Sequence, residues 1–355
     1  MNKRQFLQSS ALALSVVPLG LLPLSSCAAV DSKAGAANSS AILPKMLNQG
    51  DTVALVSPSK ATDHRLDIQI ATEVLQALGF NVKLGQHLDG RRGHLAGSDV
   101  ERASDINAMF ADPQVNAIVC LRGGSGAARL LPLLDYPLIK RNPKVLLGYS
   151  DITALHNAIN AQTGLVTFHG PNGTGSWNSF NAAQFQRVFF QRELMLYQNE
   201  PDSRDELVPR QNRIQTISGG KVQGPLIGGN LTVLTALAGS PYLPDFTGKI
   251  LFLEDVEEAP YRVDRMLSTL KLMGALDKIA GFIFGECTAC RPGGGFGWLT
   301  MDQIFDDHIK PLNIPAYRGA MIGHISKQFI VPHGATVEMD ADTGTFRMLN
   351  SVFQS

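Results

Sequence analysis

Residues 144–156 read KVLLGYSDITALH, and this stretch is the strongest single indication of the fold. The apolar residues Val145–Leu147 predict a short buried strand. The residues that follow, Gly148–Asp151, predict a sharp turn, and Ile152–His156 predict the first part of a helix. Ser150 therefore lies where backbone N–H groups converge and the helix dipole favours negative charge. Two interpretations stay open: Ser150 or Asp151 caps the helix, or Ser150 is a nucleophile whose anionic intermediate is stabilised there.

Strands and helices alternate on both sides of this stretch. Apolar runs predict strands at 52–56, 81–84, 115–121 and 165–168, and helical spacing predicts helices at 63–78 and 98–110, the second opened by a capping box of Ser98 and Glu101. This alternation is typical of a parallel sheet covered by helices, so the fold class is α/β. Sites in such sheets lie beyond the carboxyl ends of the strands. The turns at Ser57, Gly123-Gly124 and Ser150 all fall at that edge.

Two titratable residues follow later apolar strands in the same way. Glu254 and Asp255 come directly after a predicted strand at 249–253, and His324 follows one at 317–322. A serine nucleophile needs a base, and the base needs an orienting carboxylate. Each residue taken alone is more typical of a loop charge or a satisfied polar group, but the order Ser, Glu, His after successive strands favours a catalytic set. Ile152 stands where Gly-x-Ser-x-Gly would place its second glycine, which disfavours the α/β-hydrolase elbow.

The N-terminus has the character of an export signal. Lys3 and Arg4 precede an apolar run, Phe6–Leu24, and the run ends in Leu-Ser-Ser-Cys at Cys27. This predicts a signal peptide over 1–26 and a lipidated, Ala- and Ser-rich flexible tether over 27–44. The apolar run is interrupted at Pro18, Gly20 and Pro23, which argues against an uncleaved membrane anchor. The expected location is the periplasm or cell envelope, with a lipid anchor in the membrane and either the general or the twin-arginine export route.

Composition narrows the function classes. The 355 residues are 44% hydrophobic and 17% charged, with 31 basic and 31 acidic residues, so the chain can bury a large core and has no basic stripe for nucleic acid. Cys120 is expected in the core. Cys287 and Cys290 form a CxxC without the further ligands that a zinc site needs. Two free thiols are favoured there over a disulfide, and no metal site is expected.

A set of short motifs in this order resembles the LD-carboxypeptidases, serine peptidase group S66, which includes murein tetrapeptide carboxypeptidases and microcin C immunity peptidases. The motifs span residues 45–350 and are Ser57-Pro58-Ser59, Arg122-Gly123-Gly124-x-Gly126, Gly148-Tyr149-Ser150-Asp151-Ile152-Thr153, His169-Gly170-Pro171, Gly228-Gly229-Asn230-Leu231, Leu253-Glu254-Asp255 and Gly323-His324. Ser125 stands where the family usually has an aromatic residue.

The resemblance implies a role for each matching residue. Ser150 is the nucleophile, His324 the general base and Glu254 the orienting carboxylate, with Asp255 as its rival. The implied oxyanion hole is formed by the backbone N–H groups of Gly124 and Asp151, with Gly123 as the alternative to Gly124. Substrate contacts are less determined, and the candidates are Ser57, Asn230 and Arg262, with Arg265 beside the last. No metal or organic cofactor is implied.

The resemblance also implies an organisation and an activity. A Rossmann- or flavodoxin-like nucleophile domain at 45–171 and a connecting region at 172–215 precede a C-terminal α/β domain, 216–355, with a small barrel-like sheet. Homodimers are frequent in the family. The expected activity is that of an exported LD-carboxypeptidase that removes the terminal D-Ala from peptidoglycan tetrapeptides. The alternatives are an immunity-type peptidase or amidase acting on peptide–nucleotide or acyl-amino-acid substrates and, less favoured, a non-enzymatic periplasmic binding lipoprotein.

Overall fold

A computed structural model describes residues 41–201, 207–208, 211–292 and 297–354. The predicted signal peptide, Cys27 and most of the predicted tether lie outside the described residues. No helix in the described part of the chain has the length and apolar character needed to cross a membrane.

Five strands from the first half of the chain and one from the second half, Val331–His333 (β12), form a six-stranded sheet, and the predicted strand–helix alternation is confirmed. Its parallel strands follow the order β2-β1-β3-β4-β5, a flavodoxin-like order, and β12 joins β5 antiparallel at the edge. The elements are β1 (Thr52–Val56), α1 (Arg65–Ala77), β2 (Asn81–Leu84), α2 (Asp99–Ala111), β3 (Val115–Cys120), α3 (Tyr136–Arg141), β4 (Val145–Gly148), α4 (Thr153–Thr163), β5 (Thr167–His169), α5 (Ser179–Phe189) and β6 (Leu196–Tyr197).

The second half forms an eight-stranded sheet that curls into a half-barrel, which confirms the second part of the fold prediction. Strands β8 to β11 run parallel, and the flanking strands pair antiparallel, in the order β6-β14-β13-β8-β9-β10-β11-β7. The elements are β7 (Gln215–Ser218), β8 (Lys221–Asn230), α6 (Leu231–Thr235), β9 (Ile250–Val256), α7 (Pro260–Leu272), β10 (Gly281–Thr288), α8 (Met301–His308), β11 (Ala316–Arg318), β12 (Val331–His333), β13 (Thr336–Asp340) and β14 (Thr345–Met348).

Burial explains why the central strands form where the apolar runs predicted them. Every residue of β4 is buried, as are all but the first residue of β1, because helices cover both faces of the sheet. The capping box at α2 is also present, with the Ser98 side chain accepting from the Glu101 N–H and the Glu101 carboxylate accepting from the Ser98 N–H. These rigid strands and caps place the loops at the carboxyl edge of the sheet.

The structure corrects several local predictions. The sequence also predicts a helix through Leu130 and Leu131, and the structure has a 3₁₀ helix there, Ala127–Leu133, because Pro132 lacks the N–H that an α-helix would use. β9 extends to Val256, so Glu254 and Asp255 lie within the strand and pair with the neighbouring strands. β11 ends at Arg318, so His324 lies on the irregular segment beyond it.

The preference for two free thiols at the CxxC is wrong. Cys287 and Cys290 form a disulfide, with an S–S distance of 2.06 Å. The turn that closes β10 brings their Cα atoms to 5.4 Å, inside the range that a disulfide spans without backbone movement. Cys120 is buried and free, as expected for a core residue.

Candidate active site

Ser150 lies in a backbone conformation that only a constrained turn maintains. β4 ends at Gly148, a 3₁₀ turn covers Ser150–Ile152, and α4 begins at Thr153. The φ angle of Ser150 is +67°, a left-handed value that is rare outside glycine. Such strain is concentrated at functional sites, where the surrounding structure holds it. Ile152, rather than Ser150 or Asp151, is the N-cap residue of α4, and no side-chain hydrogen bond is made at that cap, so the capping interpretation lacks its hydrogen bond.

The three residues predicted as a catalytic set come together from the turn before α4, from strand β9 and from the segment beyond β11. His324 Nε2 lies 3.0 Å from Ser150 Oγ, and His324 Nδ1 lies 2.8 Å from Glu254 Oε2. With the proton on Nδ1, the ring donates to Glu254 and accepts from the serine hydroxyl. This chain of contacts can withdraw the hydroxyl proton during an attack by Ser150 Oγ and stabilise the imidazolium that results.

Burial and neighbouring charge act in opposite directions on the base. Burial lowers the pKa of His324, but the hydrogen bond and charge of Glu254, with the charges of Asp255 and Glu257, outweigh burial and raise the pKa above its usual 6.5. Glu254 is fully buried, and its second oxygen, Oε1, has no hydrogen-bond partner among the described residues. Among the described residues, the Glu254 carboxylate therefore makes its side-chain hydrogen bond to the His324 imidazole.

Asp255, the rival acid, contacts a different part of the structure. Its carboxylate accepts from the Asn230 side-chain amide at 3.0 Å and from the backbone N–H and hydroxyl of Thr232 at 3.0 and 2.9 Å. These bonds hold the first turn of α6. Burial and the adjacent Glu254 charge raise the pKa of Asp255 to about 6. Glu254, rather than Asp255, contacts the histidine.

The glycine turn after β3 approaches the serine closely. A Cβ atom on Gly123 would lie 2.7 Å from Ser150 Cβ and 3.0 Å from Ser150 Oγ, so only glycine fits there. Gly124, the next residue, has a φ angle of +124°. The predicted oxyanion donors therefore lie on a loop packed directly against the predicted nucleophile, although their assignment stays a prediction.

The Asp151 side chain has a role that the sequence did not indicate. Its buried carboxylate accepts from Ser59 Oγ at 2.5 Å and from the Ala127 N–H at 2.7 Å. Fully buried Arg102 donates to the carbonyl oxygens of Pro58 and, at 3.0 Å, Gly126. The two side chains connect the loops that follow β1, β3 and β4. Burial raises the pKa of Asp151, and its bonds to Ser59 and Ala127 and the Arg102 charge act against this.

Tyr149 is a second residue that the sequence reasoning missed. Its ring centroid lies 4.9 Å from that of His324, at a tilt of 55°. Burial is the main cause of the raised pKa of the Tyr149 phenol. The ring forms one wall against the imidazole, and its position immediately before Ser150 is the only sequence signal that could have found it.

The three predicted substrate-binding candidates, Ser57, Asn230 and Arg262, lie in different surroundings, and their assignment stays a prediction. Asn230 pairs with Glu254 in the β8–β9 register, caps α6 through its side-chain oxygen and donates one amide hydrogen bond to Asp255. Arg262 is more than half exposed on α7 and bonds Tyr261 and Glu258. Buried Ser57 lies at the end of β1, and its hydroxyl has no partner within the described ranges.

Comparison with known proteins agrees with this architecture. The family models for the LD-carboxypeptidase N-terminal and C-terminal domains match residues 53–170 and 223–339. A Bacillus subtilis protein named "Probable murein peptide carboxypeptidase" is 40% identical over 302 residues, 84% of this chain and 91% of that protein. The murein tetrapeptide carboxypeptidase of Pseudomonas aeruginosa is 32% identical over 303 residues, 82% of this chain and 93% of that one.

A solved structure extends the likeness to three dimensions. The structure of MccF in complex with glutamyl sulfamoyl guanosine superposes with a TM-score of 0.79 at 28% identity and covers 88% of this chain and 99% of that one. Together with the two domain matches, this shows that the chain belongs to the LD-carboxypeptidase family and is a serine-type carboxypeptidase, a hydrolase.

Proposed function

We propose that this protein removes the terminal D-Ala from murein tetrapeptides, cutting between an L-centre diamino acid and D-Ala. The observation that carries the proposal is the contact series from Glu254 through His324 to Ser150, at 2.8 and 3.0 Å. Similarity to two carboxypeptidases whose names refer to murein supports the substrate.

The proposed reaction proceeds through an acyl-enzyme. Ser150 Oγ attacks the carbonyl carbon of the scissile bond as His324 Nε2 takes the hydroxyl proton, and the Gly124 and Asp151 N–H groups stabilise the oxyanion. His324 then gives that proton to the nitrogen of D-Ala, the C–N bond breaks, and the amino acid leaves. Water, activated by His324, hydrolyses the ester and restores Ser150. Glu254 holds the imidazole tautomer throughout.

A second candidate function has its own support. The likeness to MccF, whose structure holds glutamyl sulfamoyl guanosine, favours an immunity-type amidase that uses the same three residues on an aminoacyl–nucleotide analogue. The murein substrate is preferred because the Bacillus subtilis carboxypeptidase is 40% identical to this chain, against 30% for the MccF of Escherichia coli.

A substrate panel separates the two candidates. Purified protein is incubated with a murein tetrapeptide, the corresponding tripeptide and an aminoacyl sulfamoyl nucleoside, and kcat/KM is measured for each. The proposal expects D-Ala release from the tetrapeptide and little cleavage of the nucleoside. Faster cleavage of the nucleoside than of the tetrapeptide would establish the second candidate instead.

The proposal includes a place in the cell. Lipidation of Cys27 after removal of residues 1–26 would hold the enzyme in the cell envelope beside its peptidoglycan substrate. The wild-type protein is expected in the membrane fraction and a Cys27→Ala variant outside it. Recovery of both proteins in the same fraction would contradict the anchor. A homodimer, frequent in the family, is tested by light scattering of the purified protein.

A further inference from the structure

A pocket of about 720 Å³ adjoins the segment that carries His324. Ile325, Ser326 and Lys327 line one wall, and the end of β10, including Glu286, lines another. The Thr288 hydroxyl donates to the His324 carbonyl oxygen at 3.2 Å, so the β10 wall contacts the histidine segment directly. The pocket is large enough for an amino-acid side chain, and one stretch of the residues that line it begins directly after His324.

Glu286 is the chemically unusual residue in this pocket. It is half-buried, and its carboxylate has no hydrogen bond or ion pair among the residues that the structure describes. β10 pairs with β9, so Glu286 lies on the strand beside Glu254, and its N–H donates to the Ile322 carbonyl at 2.9 Å. Burial raises the pKa of Glu286, and the charge of Arg318 acts against this. An unpaired, partly desolvated carboxylate is a site for a cation.

The other charges of the pocket leave a single unpaired cation on its described walls. Lys327 forms an ion pair with Glu200 at 2.6 Å. The Arg318 guanidinium pairs with Asp302 and stacks over the Phe305 ring. Arg213 also lines the pocket, is exposed, and has no ion pair within the described ranges. The pocket therefore presents one uncompensated carboxylate and one uncompensated guanidinium.

We propose that this pocket binds the side chain of the residue before the scissile bond, with Glu286 taking a terminal ammonium and Arg213 a carboxylate beside it. The matching ligand is a diamino dicarboxylic acid of the diaminopimelate type, whose far end carries both charges. A lysine side chain would satisfy Glu286 only. This assignment rests on the proposed carboxypeptidase function and adds to it the two residues that select the substrate.

The test compares three tetrapeptides that differ only in the third residue: diaminopimelate, lysine or norleucine. For the wild type, we expect kcat/KM to fall in that order. Glu286→Gln should reduce the lysine-to-norleucine ratio about tenfold or more, because the lost partner is charged. Arg213→Gln should instead reduce the diaminopimelate-to-lysine ratio. Glu73→Gln, the same change at an exposed position on α1, should leave both ratios unchanged.

The ratios make the result independent of a general loss of activity. If Glu286→Gln melts like the wild type and keeps the wild-type lysine-to-norleucine ratio, the assignment of Glu286 is wrong, while the carboxypeptidase function stands. If Arg213→Gln leaves the diaminopimelate-to-lysine ratio unchanged, the assignment of Arg213 to the ligand carboxylate is wrong. If the wild type releases D-Ala from none of the three peptides, the proposed function is overturned, and this assignment with it.

Discussion

Ser59 Oγ lies 2.5 Å from the carboxylate of Asp151, which also accepts from the Ala127 N–H. The two residues are 92 positions apart in the chain. One buried carboxylate thus connects the turn of Ser150 to the loop after β1 and to the end of the glycine loop after β3. Arg102 also contacts the loops after β1 and β3, because its guanidinium donates to the carbonyl oxygens of Pro58 and Gly126. This network fixes the position of the predicted nucleophile relative to the predicted oxyanion donors.

Replacement of Asp151 should therefore slow the reaction without unfolding the protein. We expect Asp151→Ala to lower kcat for D-Ala release at least tenfold, since a small displacement of the glycine loop is costly to catalysis. Asp151→Asn should recover part of the rate, because its carbonyl can still accept from the Ala127 N–H. Steady-state kinetics measure both effects, with melting temperature as the control. A folded Asp151→Ala with kcat within twofold of the wild type would contradict the role.

The pH dependence of the reaction should report His324. The base must be neutral to accept the Ser150 proton, and its pKa lies above 6.5, so kcat/KM should rise with pH along a limb centred above 6.5. Glu254→Gln removes the main influence that offsets burial, so the limb should move to lower pH. The rate should also fall by roughly 10³ or more, because the imidazole loses its orienting partner.

The neighbouring acid supplies the matched control for that experiment. Asp255→Asn removes a charge of the same sign beside Glu254 but leaves the Glu254–His324 bond in place. Its rate should stay well above that of Glu254→Gln. Loss of equal size in both variants would mean that Asp255 shares the orienting role.

The close approach of Gly123 to Ser150 gives a steric prediction. A methyl group at position 123 would lie 2.7 Å from Ser150 Cβ, so Gly123→Ala must displace either the loop or the serine. We expect kcat to fall roughly 10²-fold. Ser125→Ala, in the exposed part of the same loop, should keep near-normal activity. Equal, small effects from both changes would argue that the loop does not take part in catalysis.

Three buried histidines predict a loss of stability in mild acid. Burial lowers the pKa of His156 to about 4 and places those of His169 and His333 well below 6.5. Below about pH 6.5 the unfolded chain therefore binds protons that the folded protein excludes, and each histidine reduces the free energy of unfolding as pH falls. Asp255, whose pKa is raised to about 6, acts in the opposite direction.

Comparison of variants isolates the histidine contribution. His333→Gln should lessen the loss of unfolding free energy between pH 7 and 5 by about 2 kcal/mol relative to the wild type. Urea denaturation at the two pH values measures this difference. His94→Gln, at an exposed position, should leave the loss unchanged. The same loss in His333→Gln as in the wild type would show that His333 becomes protonated while folded.

The sequence was most informative where burial acts on whole strands. β1, β4 and the α2 cap follow apolar runs and cap chemistry, which are local, and they were predicted within a residue. Local patterns do not identify the strands that pair with a segment. The extension of β9 through Glu254 and Asp255 depends on pairing with β8 and β10, and it was therefore missed. The disulfide likewise depends on how the turn after β10 closes.

Residue types predicted the candidate site better than they predicted its surroundings. Ser150, Glu254 and His324 were proposed from their positions beyond strands and from a family resemblance, and the structure brings them together. Tyr149 was quoted only as a member of the Ser150 motif, without a role, and Arg102 and Glu286 belong to none of the quoted motifs. Their contacts arise only when segments distant in sequence meet, as when Glu286 comes to lie on the strand beside Glu254.

The central claim is that Ser150 cleaves the bond to a terminal D-Ala. Its most direct measurement is the rate of D-Ala release from a purified murein tetrapeptide by the wild-type protein and by Ser150→Ala at equal concentration. The account predicts release by the wild type and a rate lower by about 10³-fold or more in the variant. Full activity in Ser150→Ala, or no D-Ala from the wild type, would contradict it.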